Sequence, residues 1–96
     1  TMYLDLKRND SLHKIYSFLK KYYKNNKFIK ILKPNTFLGT NEVINTNNCH
    51  ISVCESKYKN KIIILSAIDN LIKGGSGQAV QNMNILFGYK SDEGLN

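Results

Sequence analysis

The stretch Lys61–Gly88, KIIILSAIDNLIKGGSGQAVQNMNILFG, decides how the rest of the chain is interpreted. It opens with an unbroken aliphatic run, Ile62–Leu65, which is typical of a strand buried on both faces. Asp69 and Asn70 then interrupt the apolar pattern, as short polar side chains that bond nearby backbone commonly do. The stretch therefore begins as a buried strand that ends in a polar turn.

A glycine-rich segment, Gly74–Gly77, follows this turn. Beyond it, apolar residues recur at helical spacing, and Gly88 is the kind of residue that ends a helix. Glycine backbone at the start of a helix can approach a ligand closely, because no Cβ intervenes and the first N–H groups lack helical partners. The alternative is that the glycines only form a tight turn and that Ser76 caps the helix.

The glycine pattern matches neither of the two common nucleotide-binding motifs. A phosphate-binding P-loop has Lys-Ser or Lys-Thr after its last glycine, and here Gly77 is followed by Gln78. The dinucleotide motif requires Gly-x-Gly-x-x-Gly and an acidic residue about 20 positions later. The segment alone therefore indicates no particular ligand.

Composition limits the chain to one domain of 96 residues with a net charge of +7. No apolar run is long enough to span a membrane. The charge is almost all lysine, with Arg8 the only arginine, and lysine accompanies frequent asparagine. Because nucleic-acid interfaces rely on arginine and stacked aromatic residues, this pattern favours a compositional bias over a nucleic-acid site. A chain with only two cysteines also favours a reducing compartment.

The pattern along the chain predicts an α+β fold with a mostly antiparallel sheet and two helices on one face. An amphipathic helix has its apolar stripe between Leu12 and Tyr23 and a cap at Asp10 or Ser11. The predicted strands are Thr1–Lys7, Phe28–Leu32, Cys49–Ser56 and the one from Lys61, with a long loop over Pro34–Asn48 and a hairpin turn over Lys57–Asn60.

No residue set predicts catalysis or metal binding. Cys49 and His50 are neighbours on a strand, so their side chains point to opposite faces. Cys54 shares a face with His50 but lies about 13 Å along the strand. His13 belongs to the amphipathic helix, and two histidines do not make a plausible metal site. We therefore expect neither a catalytic residue nor a metal ligand in this chain.

The segment Ile68–Asn84 closely resembles the C-terminal end of N-acetyl-γ-glutamyl-phosphate reductases, which has the form Ile-Asp-Asn-Leu-x-Lys-Gly-x-x-Gly-Gln-Ala-Val-Gln-Asn-x-Asn. Pro34–Thr36 and Cys49–Ile51 extend the resemblance over nearly the whole chain. One departure is Asn45, where the family usually has glycine, although asparagine also adopts positive φ readily. A glycine that the family often has in the later strand is replaced here by Val53 or Cys54.

The resemblance implies that residues 1–96 are the C-terminal portion of a catalytic and dimerisation domain like that of glyceraldehyde-3-phosphate dehydrogenase. The nucleotide-binding domain and the family's catalytic Cys and His lie outside this segment, so the isolated fragment should be inactive. NADP is the expected cofactor of the full enzyme, not bound to this fragment alone. The expected assembly is a cytoplasmic dimer or larger homo-oligomer, without nucleic acid or membrane partners.

The resemblance also places the glycine-rich segment near the nicotinamide of the cofactor. The implied cofactor-binding positions are Gly74, Gly75, Ser76, Gly77, Gln78, Gln81 and Asn82, of which Gln81 and Asn82 are the candidates for a hydrogen bond to the carboxamide. The alternative for these amides is a polar face packed against the nucleotide-binding domain. The alternative function for the chain is a small basic module that dimerises or binds nucleic acid without catalysis.

Overall fold

The computed structural model describes residues 1–96 and has its elements in the order that the sequence predicts. The elements are β1 (Met2–Asp5), α1 (Leu12–Tyr22), β2 (Ile29–Ile31), β3 (Cys49–Glu55), β4 (Lys61–Ile68), a short π-type turn (Ile72–Ser76) and α2 (Gly77–Leu86). The α+β class is confirmed. Strands β1 and β2 are shorter than predicted, and both are the edge strands of the sheet.

The four strands form one sheet in the order β1-β4-β3-β2. Strand β4 lies at its centre and pairs antiparallel with both β1 and β3. The predicted hairpin between β3 and β4 is confirmed, and it places Val53 opposite Ile64. Asn60 at the end of the hairpin turn has a φ of 61°, a conformation that asparagine tolerates better than most residues. The stretch quoted first thus supplies the central strand.

Strands β2 and β3 pair in parallel, with Ile29 opposite Cys49 and Ile31 opposite Ile51. The sheet is therefore mixed: the two pairs that contain β4 are antiparallel, as predicted for most of the sheet, and the third pair is parallel. The long connection from Leu32 to Asn48 permits this pairing. Antiparallel neighbours need only a tight turn, whereas a parallel pair needs a connection long enough to return the chain to the same end of the sheet.

Helix α1 covers one face of the sheet. Its N-terminus is capped by Ser11, whose Oγ accepts a hydrogen bond from the N–H of Lys14 at 3.2 Å, as predicted. Alternate residues of β3 and β4 point at the helix, and these form a dry cluster of Val53, Ile62 and Ile64 that packs against Leu6, Leu12, Ile15, Tyr16, Leu19 and Ile51. The core of the molecule lies in this layer.

The opposite side of β1 and β4 has no helix over it. We call Tyr3, Ile63, Leu65 and Ala67 the open face, since they alternate with the buried residues of the same strands. Tyr3 is 73% exposed, and the three residues of β4 are half-buried. The prediction that β4 is buried on both faces is therefore wrong for a single chain, because one helical layer covers only one side.

The second helix does not join the first on the sheet, so the prediction of two helices on one face is also wrong. Helix α2 packs chiefly on the π-type turn before it, and its buried residues are Gly77 and Asn84. The predicted stop at Gly88 is confirmed: its φ is 75°, its N–H donates to the Ile85 carbonyl oxygen at 3.2 Å, and the N–H of Tyr89 donates to that of Asn84 at 2.8 Å.

The chain is thin and extended for its length. Its radius of gyration is 15.1 Å, against about 12 Å for a compact domain of this size. Its smallest dimension is 17 Å, and only 10 of 96 residues are buried, so most apolar side chains keep contact with solvent. Neither helix has the length and apolar composition that crossing a bilayer requires.

Candidate functional site

The carboxylate of Asp69 joins the long loop to the turn that follows β4. Its Oδ2 accepts a hydrogen bond from the N–H of Asn45 at 2.8 Å, and its Oδ1 accepts bonds from Leu71 at 2.8 Å and Ile72 at 3.3 Å. These bonds, that from Asn45 first, lower the pKa of Asp69 because they favour its ionised form. Asn45 itself has a φ of 60°, so the positive φ expected where the family has glycine is confirmed.

The glycine-rich segment is a π-type turn rather than an open loop. The N–H groups of Gly74, Ser76 and Gly77 each donate to a carbonyl oxygen five residues earlier, at 3.1 Å and 3.2 Å for the first two. The chain bends at Gly75 before it enters α2. These three N–H groups are therefore already bonded, which corrects the expectation that the helix start offers them to a ligand. Irregular turns of this kind are frequent at functional sites.

Ser76 does not cap α2. Its Oγ donates a hydrogen bond to the Leu71 carbonyl oxygen at 3.1 Å and bonds no N–H of the helix. The predicted cap is therefore wrong, because carbonyl oxygens of the preceding π-type turn already accept the hydrogen bonds of the N–H groups where α2 begins. Ser76 instead stabilises that turn from its exposed side.

Gly77 is buried against the long loop. A Cβ added at Gly77 would overlap Asn47 Oδ1 and lie 2.8 Å from both Cγ2 and the carbonyl oxygen of Ile72. Its place in the turn therefore depends on the lack of a side chain. Gly74 and Gly75, in contrast, are exposed, and only these two glycines of the segment present backbone to solvent.

Gln81 points into the molecule. Its Oε1 accepts hydrogen bonds from Asn47 Nδ2 at 3.0 Å and from Lys73 Nζ at 2.8 Å. The ammonium group of Lys73 also lies 5.1 Å from the centre of the buried Phe28 ring. Desolvation lowers the pKa of Lys73, and the neighbouring Cys49 opposes this shift. Gln81 thus belongs to a partly buried polar cluster.

Asn82 lies on the exposed side of α2. Its Oδ1 accepts a hydrogen bond from Gln78 Nε2 at 3.1 Å, one helical turn earlier. The structure therefore separates the two amides that the sequence grouped together: Asn82 pairs with Gln78 towards solvent, and Gln81 bonds inward.

Asn70 is a candidate that the sequence interpretation left out. Its exposed side chain lies over Gly74, where an added Cβ would overlap Asn70 Oδ1. Asn70 also lines a cavity of about 390 Å³ between the long loop and the turn, together with Thr40, Ile44, Asn45, Ile68, Asp69 and Leu71. Asn70 stands four residues before Gly74, and the sequence pattern there predicts only a turn residue.

The cysteines and histidines do not form a reactive pair. Both cysteines are free thiols; Cys49 lies 3.4 Å from Ser66 Oγ, and the buried Cys54 lies 3.5 Å from Ser52 Oγ. No hydrogen bond joins either thiol to a histidine, and Nδ1 of His50 is buried without a partner. No three residues among the His, Cys, Asp and Glu of the chain come together as a metal site.

The largest cavity, about 620 Å³, lies away from the glycine-rich turn, between the end of α1 and β2. Its lining includes Lys20, Lys24 and Lys30 but no carboxylate. Only two ion pairs occur in the structure, Lys27 with Asp92 and Lys61 with Asp5. Most lysines therefore carry uncompensated charge on open surface, in keeping with the excess of basic residues in the sequence.

The structure thus combines a mixed sheet, one helix across one face, and apolar residues of β1 and β4 left open on the other. Residues 1–70 match the model of the semialdehyde dehydrogenase dimerisation domain, so the chain belongs to that family.

The closer relatives among the matches are N-acetyl-γ-glutamyl-phosphate reductases. The chain is 46% identical to the reductase of Thermoanaerobacter pseudethanolicus over 99% of its length, and 50% identical to that of Vesicomyosocius okutanii over 99%. The reductase of Clostridium botulinum Eklund 17B is 49% identical over 91%. The resemblance seen in Ile68–Asn84 is thus confirmed. The chain spans about a quarter of the curated relatives, 28%, 26% and 24% of these three.

Proposed function

We propose that the chain is the C-terminal portion of the catalytic and dimerisation domain of an NADP-dependent N-acetyl-γ-glutamyl-phosphate reductase. The proposal rests on the 46% and 50% identity to such reductases over 99% of the chain. The whole enzyme reduces an acyl phosphate to a semialdehyde in arginine biosynthesis, and NADPH supplies the hydride when bound. The reductase names of these relatives give no support to the alternative of a small basic module.

The exposed side of the glycine-rich turn fits one wall of a nicotinamide site. Gly75 leaves backbone open to close approach, and the exposed side chain of Asn70 lies over Gly74. The amides of Gln78 and Asn82 follow on the first turns of α2 and bond each other. A carboxamide both donates and accepts hydrogen bonds, and Asn and Gln side chains complement it on both counts. Ser76 lies on the same exposed side. Gly77 and Gln81 support this wall from within.

The remaining walls and the reacting groups have to come from outside these residues. The chain has no thiol hydrogen-bonded to a histidine, which a Cys-based acyl transfer needs to activate its nucleophile. We therefore expect the 96-residue chain alone to show no turnover with NADP, phosphate and the semialdehyde. Formation of NADPH that disappears in Cys49→Ser or Cys54→Ser would contradict this assignment.

The open face is the proposed contact between subunits. Tyr3, Ile63, Leu65 and Ala67 form an apolar strip over β1 and β4, and a second copy of the chain would remove it from water. We propose the cytoplasm as the compartment, since both cysteines are free thiols and reducing conditions keep them so.

A chimeric enzyme tests the proposal as a whole. The matched segment of the Thermoanaerobacter pseudethanolicus reductase is replaced by this chain, and NADPH consumption is measured with the acyl phosphate as substrate. The proposal predicts an oligomeric enzyme with activity within about tenfold of the parent, a loss of roughly 1.4 kcal/mol in transition-state stabilisation at most.

The control is the parent enzyme with its own segment, expressed and purified in the same way. Nucleotide affinity is measured beside activity, so that a defect in binding is separated from a defect in chemistry. A folded, oligomeric chimera that binds no NADP would contradict the proposed role of the glycine-rich turn.

A further inference from the structure

The amide of Gln81 has a defined orientation because of Lys73. The ammonium group of Lys73 can only donate hydrogen bonds, so the Gln81 atom 2.8 Å from it has to be the oxygen. The same oxygen lies 3.0 Å from the side-chain amide of Asn47, which therefore turns its nitrogen towards Gln81. One cation thus fixes the orientation of two amides that would otherwise be interchangeable.

Asn47 carries this orientation into the long loop. It is fully buried, and with its nitrogen bonded to Gln81 its Oδ1 faces Gly77 without a hydrogen-bond partner. Its own N–H donates to the carbonyl oxygen of Asn96 at 3.1 Å. Asn47 therefore holds the loop, the start of α2 and the C-terminal residue together.

Lys73 has no carboxylate partner. It lies over the Phe28 ring and is partly desolvated, and no ion pair includes it. The side-chain oxygen of Gln81 is thus the principal acceptor for a half-buried charge. Removing it would leave the buried amide nitrogen of Asn47 unsatisfied and the partly desolvated ammonium of Lys73 without a protein acceptor.

We propose that Gln81 is a positioning residue: its Oε1 locks the long loop to the glycine-rich turn and so sets the place of Gly74, Gly75 and Asn70. Gln81 does not contact the cofactor, and the wall that does is formed by Asn70, Gln78 and Asn82. The second statement rests on the proposed function, whereas the lock itself rests on the contacts of Gln81, Asn47 and Lys73 alone.

The test uses two substitutions of Gln81, one of which keeps the side-chain oxygen and one of which removes it. Gln81→Glu keeps the oxygen facing Lys73 and Asn47 but removes the amide nitrogen. Gln81→Met keeps the length of the side chain and removes both. Gln78→Met is the matched control, since it makes the same change in the same helix at a side chain that bonds Asn82 rather than the long loop.

The first readout is made on the full chain without cofactor. We expect the side-chain amide of Asn47 to give slowly exchanging proton resonances in the wild type and in Gln81→Glu, and to lose them in Gln81→Met. The melting temperature should fall by roughly 5 °C or more in Gln81→Met and stay within about 2 °C in Gln81→Glu and Gln78→Met. Equal losses in Gln81→Glu and Gln81→Met would overturn the lock.

The second readout is the NADP dissociation constant of the chimera. In Gln81→Glu the constant should stay within about threefold of that of the unsubstituted chimera, and in Gln78→Met it should rise by about fivefold or more. A rise of about tenfold or more in Gln81→Glu, with the Asn47 resonances retained, would show that the amide nitrogen contacts the cofactor and overturn the positioning role. If the unsubstituted chimera binds no NADP while the resonances behave as expected, the lock is supported and the proposed function fails.

Discussion

The two halves of this small fold are held together by opposite kinds of contact. The sheet and α1 enclose a dry cluster around Val53, Ile62 and Ile64. The long loop, the glycine-rich turn and α2 instead bury Asn47 and Asn84, each within hydrogen-bond distance of its neighbours. The first half gains stability from removing apolar area from water, and the second depends on the placement of individual polar atoms.

This difference implies that the sheet half tolerates substitution more readily than the polar half does. An apolar cluster tolerates exchanges of similar volume, because hydrophobic contacts have no preferred direction. A buried amide has donors and an acceptor in fixed places, so one altered atom leaves a partner unsatisfied. We therefore expect the sheet half to determine stability and the polar half to determine the shape of the candidate site.

The largest effect is expected from truncating the dry cluster. Ile62 is 2% exposed, whereas Ile63 beside it points to the open face. Ile62→Ala should reduce the free energy of unfolding by about 3 kcal/mol through lost burial and a residual cavity, and Ile63→Ala by about 1 kcal/mol or less in the monomer. Urea unfolding at low protein concentration measures both. Equal losses would show that β4 is covered on both sides within one chain.

The next largest effect is expected from a substitution in the polar half. Gly77→Ala places a Cβ against Asn47 Oδ1 and the Ile72 carbonyl oxygen. Asn47 is held by its bond to Gln81, and the Ile72 carbonyl oxygen accepts the N–H of Gly77 itself. The expected loss is about 2 kcal/mol in the free energy of unfolding.

Gly39→Ala is the matched control for this change, since its nearest neighbour, at 3.2 Å, is the flexible end of the Glu42 side chain. Thermal melting of both variants gives the comparison. A Gly77→Ala protein as stable as Gly39→Ala would mean that the contact between the long loop and α2 is not tight.

The smallest effect is a dependence on pH that should be confined to the polar half. Bonds from Asn45, Leu71 and Ile72 lower the pKa of Asp69. Because the pKa is lower in the folded state, the stabilisation is complete above the unfolded value of about 3.9 and is lost as the pH falls through the folded value. Asp69→Asn should therefore be less stable than the wild type at neutral pH and equally stable at the acid end.

Urea titrations of the two proteins at neutral, mildly acidic and strongly acidic pH follow this difference. The amide introduced by Asp69→Asn would keep one oxygen for Leu71 and Ile72, so the variant isolates the bond from Asn45. A difference between the two proteins that does not change with pH would assign the effect of the substitution to something other than the charge.

Much of the sheet half could be predicted from the sequence. The aliphatic run Ile62–Leu65, the alternation in Cys49–Glu55 and the helical stripe after Ser11 each follow from a simple period, so element order and class are confirmed. The parallel pairing of β2 could not be predicted, because the loop from Leu32 to Asn48 has no period that shows which end of the sheet it returns to.

The polar half was predicted only where one residue decides the conformation. Gly88 and Asn45 adopt positive φ as expected, because few other residues do so without strain. The inward orientation of Gln81 depends on Lys73 and Asn47, which lie 8 and 34 positions away, so no local pattern contains it. Local sequence also does not show that Ser76 leaves the start of α2 uncapped, because this depends on the π-type turn that the glycines allow.

We claim that β4 requires a second subunit over the open face. Sedimentation of the full chain at tens of micromolar tests it most directly, with Leu65→Lys as the variant that places a charge in that face. We expect a dimer or larger species for the wild type and a folded monomer for Leu65→Lys. A wild-type monomer with a well-dispersed spectrum would contradict the claim, because the open face would then be stable in water without a second subunit.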